Sequence, residues 1–161
     1  MNKKIKSIKE LKNIVKNLKS KGNKLVFTNG CFDLIHPGHI KILKEAKKQG
    51  DILIVGINSD SSIKRIKGNL RPILKQNARV EIISSIEYVD YVTVFDEPTP
   101  YRAIKTLKPH ILVKGGDWYD KKVVGKTLVD KVYFVKLLKG YSSTKLIEKI
   151  LNKYGKQNKT N

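Results

Sequence analysis

The stretch FTNGCFDLIHPGHIKILKEA, from Phe27 to Ala46, carries an apolar run into a lysine-studded amphipathic one across two glycines, a proline and two histidines. KLVFT reads as a strand ending near Thr28, and His39 to Gln49 read as a helix whose start lies around Pro37 to His39. NGCFDLIHPGH is then the loop at the carboxyl end of a strand. Gly30 and Gly38 permit close backbone approach, and Pro37 forfeits no needed donor in a first helical turn. The open amides and partial positive charge of a helix start suit a phosphate. Histidines on either side of Gly38 supply two imidazole donors, able to stabilise charge that builds on such a phosphate during substitution.

The same alternation continues on both sides of this loop. Ile8, Leu11, Ile14, Val15 and Leu18 share one helical face, which predicts an N-terminal helix over about 7–20. DILIVGIN is a strand, Ser61 to Lys67 a short helix, KGNLRPI a polar loop and Gln76 to Ile86 a helix. YVTVF, ILVKG and VYFVKLL read as strands, with helices from Pro100 to Leu107 and from Ser142 to Leu151. The segment between Gly115 and Val132 fits no clear pattern, and the tail from about 153 to 161 has little to bury and is expected to fray. Five strands alternating with helices predict a Rossmann-like α/β fold, a doubly wound five-stranded parallel sheet with helices on both faces, as a single domain over residues 1–161. Ligands bind such sheets at the carboxyl ends of the strands, where the strand order reverses.

The net charge of +20, from 34 basic residues of which four are arginine against 14 acids, will attract anions. Lysines spread along the chain, with few of the arginines that read bases, argue against a nucleic-acid-binding module. No apolar stretch approaches the roughly 20 residues that span a bilayer, and the lysine-rich start lacks a secretory signal's apolar segment, so a cytoplasmic protein without a membrane is expected. The single cysteine, Cys31, excludes an internal disulfide and a multi-cysteine zinc site, and reads as a space-filling residue.

HPGH, preceded by TNGCFD, resembles the HxGH signature of the nucleotidyltransferase superfamily, and SSTK at Ser142 to Lys145 resembles its ISSTxxR-type helix start. FTNGCFDLIHPGH, GDILIVGINSDSSIKRIKG, RPI, NARVEIISSIEYVDYV, LKPHILVKGGDW and SSTKLIEKI also follow the order and spacing of the D-glycero-β-D-manno-heptose 1-phosphate adenylyltransferase family, from Lys24 to Ile150. This resemblance implies that His36 and His39 contact the nucleoside triphosphate and stabilise its α-phosphate. Ser142, Ser143 and Thr144 would hold the outer phosphates, and Thr28, Asn29, Gly30, Phe32 and Gly38 would line the nucleotide site. The lysine of the family's HxGHxxxLxxAK helix pattern is placed on Lys44, as a third catalytic group.

KGGDW adds Lys114, Gly115 and Asp117 on the nucleotide side, while Trp118 reads as a packing residue and His110 as structural. Asp33 is expected to orient a histidine or the loop, Asp60 to cap the next helix, and Arg71 to clamp the acceptor phosphate as a bidentate fork. Arg79 is a candidate for acceptor phosphate or dimer contacts. The activity implied is transfer of AMP from ATP to a sugar 1-phosphate, with Mg²⁺ carried on ATP and no protein metal cage, a separate kinase supplying the acceptor, and a homodimer. Cytidylyl transfer to glycerol 3-phosphate resembles the chain less, because the arginine of that family's RTEGIST signature is missing where LLKGYSS stands.

Overall fold

The computed structural model describes residues 3–119 and 121–155. Five strands form one parallel sheet: β1 (Leu25–Gly30), β2 (Ile52–Asn58), β3 (Tyr91–Phe95), β4 (Ile111–Gly115) and β5 (Lys131–Val135), in the order β3-β2-β1-β4-β5. The helices are α1 (Ile8–Ser20), α2 (Pro37–Lys47), α3 (Asp60–Lys67), α4 (Gln76–Ser84), α5 (Tyr101–Leu107) and α6 (Ser143–Tyr154). The order reverses between β1 and β4, so the loops after these two strands open onto the crevice where such folds take ligands.

Alternation along the central strands loads both faces of the sheet. Val26 of β1 with Leu53, Val55 and Ile57 of β2 joins one core with Leu43, Ala46, Val80 and Ile83 of α2 and α4. Leu25 and Phe27 with Ile54 join the other, against Leu11 and Val15 of α1 and Ala103, Ile104 and Leu107 of α5. Burial on both sides explains why these strands are continuous apolar runs. α1 starts with a reciprocal cap: Glu10 N donates to Ser7 Oγ at 3.2 Å, and Ser7 N donates to Glu10 Oε2 at 2.8 Å.

Some local expectations shift. β1 runs two residues past Thr28, because Asn29 and Gly30 continue the ladder opposite Gly56 and Ile57. α3 is capped by Ser59, whose Oγ accepts Ser62 N at 3.0 Å; Asp60 instead accepts Gln76 N and Arg79 Nη2. The unassigned stretch after β4 holds two short 3₁₀ turns, Gly116–Trp118 and Lys126–Leu128. Within the tail expected to fray from about 153, α6 continues through Tyr154; residues 156–161 lie outside the described ones. His110 is structural as expected, its Nδ1 accepting Leu25 N at 2.8 Å.

Candidate active site

The β1–α2 loop enters the crevice in a constrained form. Phe32 (φ 48°) and Leu34 (φ 54°) both occupy the left-handed region, which L side chains adopt only where the surroundings hold them. The loop delivers His36 as the residue before α2 and His39 in its first turn, and the two imidazoles stack with centroids 3.8 Å apart. A Cβ on Gly38 would meet the Cε1 and Nδ1 of His36 at 3.0 Å, so the ring rests on bare backbone. The Phe32 ring leans on His39 from 5.4 Å.

Among the described residues neither histidine forms an ion pair. The Nδ1 atoms of His36 and His39 are both buried without a hydrogen-bond partner. Burial pulls both rings below the ordinary histidine range. His39 is pulled to about 4, with His36 and Lys67 adding to the effect. Both rings are therefore neutral near pH 7.

Lys114, at the end of β4, forms the floor. Its Nζ donates to Asn29 Oδ1 at 2.5 Å and lies 5.1 Å from the Trp118 ring centroid. Burial lowers its pKa to about 8, against the opposing pull of Asp117. A Cβ on Gly115 would come within 2.6 Å of Asp117 Oδ1, so the glycine makes room for that carboxylate. From the far side, α6 points its start into the crevice. Ser142 Oγ accepts Lys145 N at 3.1 Å, and Ser143 Oγ donates to Asp33 O at 2.5 Å. The Ser143 and Thr144 amides, in the first helical turn, have no intrahelical acceptor.

Three cavities meet here. One of about 160 Å³ lies between Thr28 to Asp33, His39, Lys114, Trp118 and Ser143. A second of about 320 Å³ runs from His36 and Gly38 past Leu137, Leu138 and Tyr141 to Ser142, Ser143 and Thr144. A third of about 470 Å³ extends from Asn29 and Lys114 to Asn58, Ile66 and Pro98 to Pro100. Lys67 and Asp117 line all three. Thr28, Asn29, Gly30, Phe32, His36, Gly38, His39, Lys114, Gly115, Asp117, Ser142, Ser143 and Thr144, expected from scattered motifs, all come together on these walls.

Three expected residues do not. Lys44 is exposed two turns along α2 and lines none of these cavities. Counted along this chain, HxGHxxxLxxAK puts its lysine at Lys47, which is held by Asp90 Oδ2 at 2.5 Å and Asp51 O at 2.6 Å. Arg71 is no free clamp: its Nε donates to Asp33 Oδ2 at 2.8 Å. Its Nη2 stands 2.8 Å from the same oxygen as an ion-pair contact without hydrogen-bond alignment. Arg79 is fully buried and donates to Leu74 O, Cys31 O and Asp60 Oδ1 at 3.1, 2.6 and 2.8 Å, so it meets neither acceptor nor second subunit.

Asp33 reaches the first cavity, but its carboxylate is turned to Arg71, Ile73 N and Leu74 N. Burial pushes this carboxyl up, and those donors outweigh it and hold the group below its ordinary value. The cation that motif reading missed is Lys67. Its only signal was its position at the end of α3, immediately before KGNLRPI.

A parallel sheet of this order, with a histidine-bearing helix start and a second helix start converging on its switch point, defines a nucleotide-binding α/β domain. The cytidylyltransferase-like family model matches residues 27–149, and the chain belongs to that family. It is a nucleotidyltransferase.

Among curated proteins, the bifunctional protein HldE of Aliarcobacter butzleri is 50% identical over 146 residues, covering 91% of this chain and 31% of that protein. HldE of Wolinella succinogenes is 51% identical over 140 residues, covering 87% and 30%. The chain thus spans about a third of the length of these relatives. Among solved structures, the lipopolysaccharide core biosynthesis protein of Thermoplasma volcanium is 33% identical, with a TM-score of 0.59 over 75% of this chain and all of that one. Pantoate-beta-alanine ligase of Francisella tularensis, 19% identical, shares the fold with a TM-score of 0.62 over 92% of this chain and 78% of its own.

Proposed function

We propose that this chain transfers AMP from ATP to a sugar 1-phosphate, with D-glycero-β-D-manno-heptose 1-phosphate the favoured acceptor, giving ADP-heptose and pyrophosphate. The observation that carries the transfer chemistry is the stacked, uncharged His36–His39 pair, both Nδ1 atoms without a hydrogen-bond partner, facing the α6 start across one cavity. The adenylyl and heptose parts rest on the sequence resemblance and on the HldE relatives.

In this reading an oxygen of the acceptor phosphate attacks the α-phosphorus, and the bond from that phosphorus to the bridging oxygen breaks as pyrophosphate leaves. The acceptor oxygen is already anionic, so no protein base is required. Each neutral imidazole offers one N–H donor, and a polyanion beside it favours the doubly donating cation, so charge stabilisation increases when the substrate arrives. Lys114 and Lys67 neutralise phosphate charge, the amides at the α6 start receive the outer phosphates, and Leu137, Leu138 and Tyr141 offer an apolar wall for a base.

Mg²⁺ enters as part of the MgATP substrate. Among the described residues no three His, Cys, Asp or Glu side chains gather as a metal site, and Asp117 is the carboxylate best placed to meet a metal arriving with the triphosphate. The reading requires a kinase activity to make the sugar 1-phosphate, places the reaction in the cytoplasm, and carries a homodimer with it.

The test is pyrophosphate release with Mg²⁺, each of ATP, CTP, GTP and UTP in turn, against heptose 1-phosphates of both anomers, glycerol 3-phosphate, ethanolamine phosphate and FMN. Release confined to ATP with a heptose 1-phosphate is expected. Turnover with CTP and glycerol 3-phosphate would replace the substrates and keep the chemistry, and silence across the panel from folded protein would overturn the reading.

A further inference from the structure

Asp33 is 1% exposed, yet it is the most connected group in the crevice. Its Oδ2 accepts Arg71 Nε at 2.8 Å and Ile73 N at 2.9 Å, and its Oδ1 accepts Leu74 N at 2.9 Å. Its main-chain carbonyl accepts the Ser143 hydroxyl. One residue therefore ties the HPGH loop to a segment 38 positions away and to the start of α6, 110 positions away. The left-handed residues Phe32 and Leu34 on either side of it mark a backbone that its contacts hold in place.

The tied segment has few other anchors. Leu70 is 90% exposed and Ile73 52%, so this loop is not held by burial. It leaves α3 directly after Lys67 through Gly68 (φ 89°), and Arg71 N donates back to Gly68 O at 3.1 Å. A pinned Arg71 thus fixes the far end of a tight turn whose near end, Gly68, directly follows Lys67. Lys67 lines all three cavities and, among the described residues, pairs with no carboxylate.

We propose that Asp33 is a positioning residue that, through Arg71 and the backbone of Ile73 and Leu74, sets where Lys67 stands between the nucleotide and the acceptor. The latch itself is a statement about structure; its kinetic consequence rests on the transfer reading above.

Two measurements on the full chain separate these. Hydrogen exchange of wild type and Asp33→Asn reads the latch alone. Because hydrogen bonds to a charged group are the strong ones, exchange at Ile73 and Leu74 should accelerate roughly tenfold to a hundredfold, with β1 and β2 unchanged. Unaltered exchange at those two amides would overturn the latch.

The second measurement is a kinetic cycle of Asp33→Asn, Lys67→Ala and the double variant. Asp33→Asn should lower kcat/KM for the acceptor by about tenfold or more while the Kd for ATP changes by less than about threefold, and it should cost little further once Lys67 is gone. Losses that multiply in the double variant would show that Asp33 does not act through Lys67. Should Asp33→Asn fail to fold by near-UV circular dichroism, Arg71→Gln loosens the same latch and replaces it in both measurements. If wild type releases no pyrophosphate with any pair, the transfer reading falls, and the exchange result still decides the latch.

Discussion

Two groups of charge flank the loop from Cys31 to His36, and they are built on opposite rules. On one side Asp33–Arg71 and Asp60–Arg79 are paired, and Arg79 also holds two backbone carbonyls. On the other side the Nδ1 atoms of His36 and His39 are buried without a hydrogen-bond partner, Lys114 donates to an amide oxygen beside a ring face, and Lys67 stands open to three cavities. A buried ion pair has already met its opposite charge and serves to organise the chain, whereas an unpaired, desolvated base is stabilised by an anion that arrives later. The arginines are few, and rarity makes them look functional; in this fold Arg71 and Arg79 are held by Asp33, Asp60 and backbone carbonyls.

The histidines supply the largest test of this contrast. His36→Gln and His39→Gln should each lower turnover by about 10²–10³-fold, up to about 4 kcal/mol of transition-state stabilisation, with ATP affinity much less affected. Turnover within a few-fold of wild type would remove the pair from the chemistry. Arg79→Met should instead act on folding. Stripping the donors from Cys31 O and Leu74 O should cost about 3 kcal/mol in urea unfolding. A variant of normal stability that had lost turnover would move Arg79 to the receiving group.

The pH dependence of stability sharpens the comparison further. His39 titrates at about 4 in the folded chain against an ordinary value of 6.5, so the unfolded chain binds the proton first. Stability is then fullest above about pH 6.5, falls as the pH drops through that window and levels off below about 4, a loss of roughly 3 kcal/mol from this group. Carboxylates titrate in the same range, so the quantity to measure is the difference between wild type and His39→Gln, which should be less sensitive to pH. Equal slopes would mean that His39 is not desolvated. The smallest effect belongs to the helix start: Ser142→Ala removes the cap on Lys145 N and should cost about 1 kcal/mol.

Much of this molecule is legible before folding. The five strands and six helices follow from apolar runs, helical spacing and turn residues, because both sheet faces are buried and α1, α2, α4 and α5 each present one face to a core. The cavity wall was legible as well, since HPGH, KGGDW and SST each sit on a contiguous loop or helix start whose place at the sheet edge follows from the strand before it. Capping at Ser59 rather than Asp60 was a local choice between adjacent polar residues. Pattern alone does not show which of two neighbours has a distant partner, and Asp60 has Arg79.

What the sequence by itself determined is therefore the alternating fold, the edge of the sheet where its cavities open and the histidines that stand there. All of these depend on neighbours within a helical turn or along one strand. Tertiary structure alone decided which charges are free. Arg71 finds Asp33 across 38 residues, Arg79 finds Cys31 O across 48, and Lys67 finds no described anion at all. Whether a charge is paired depends on what the fold brings within about 4 Å of it, and local sequence carries no record of that distance.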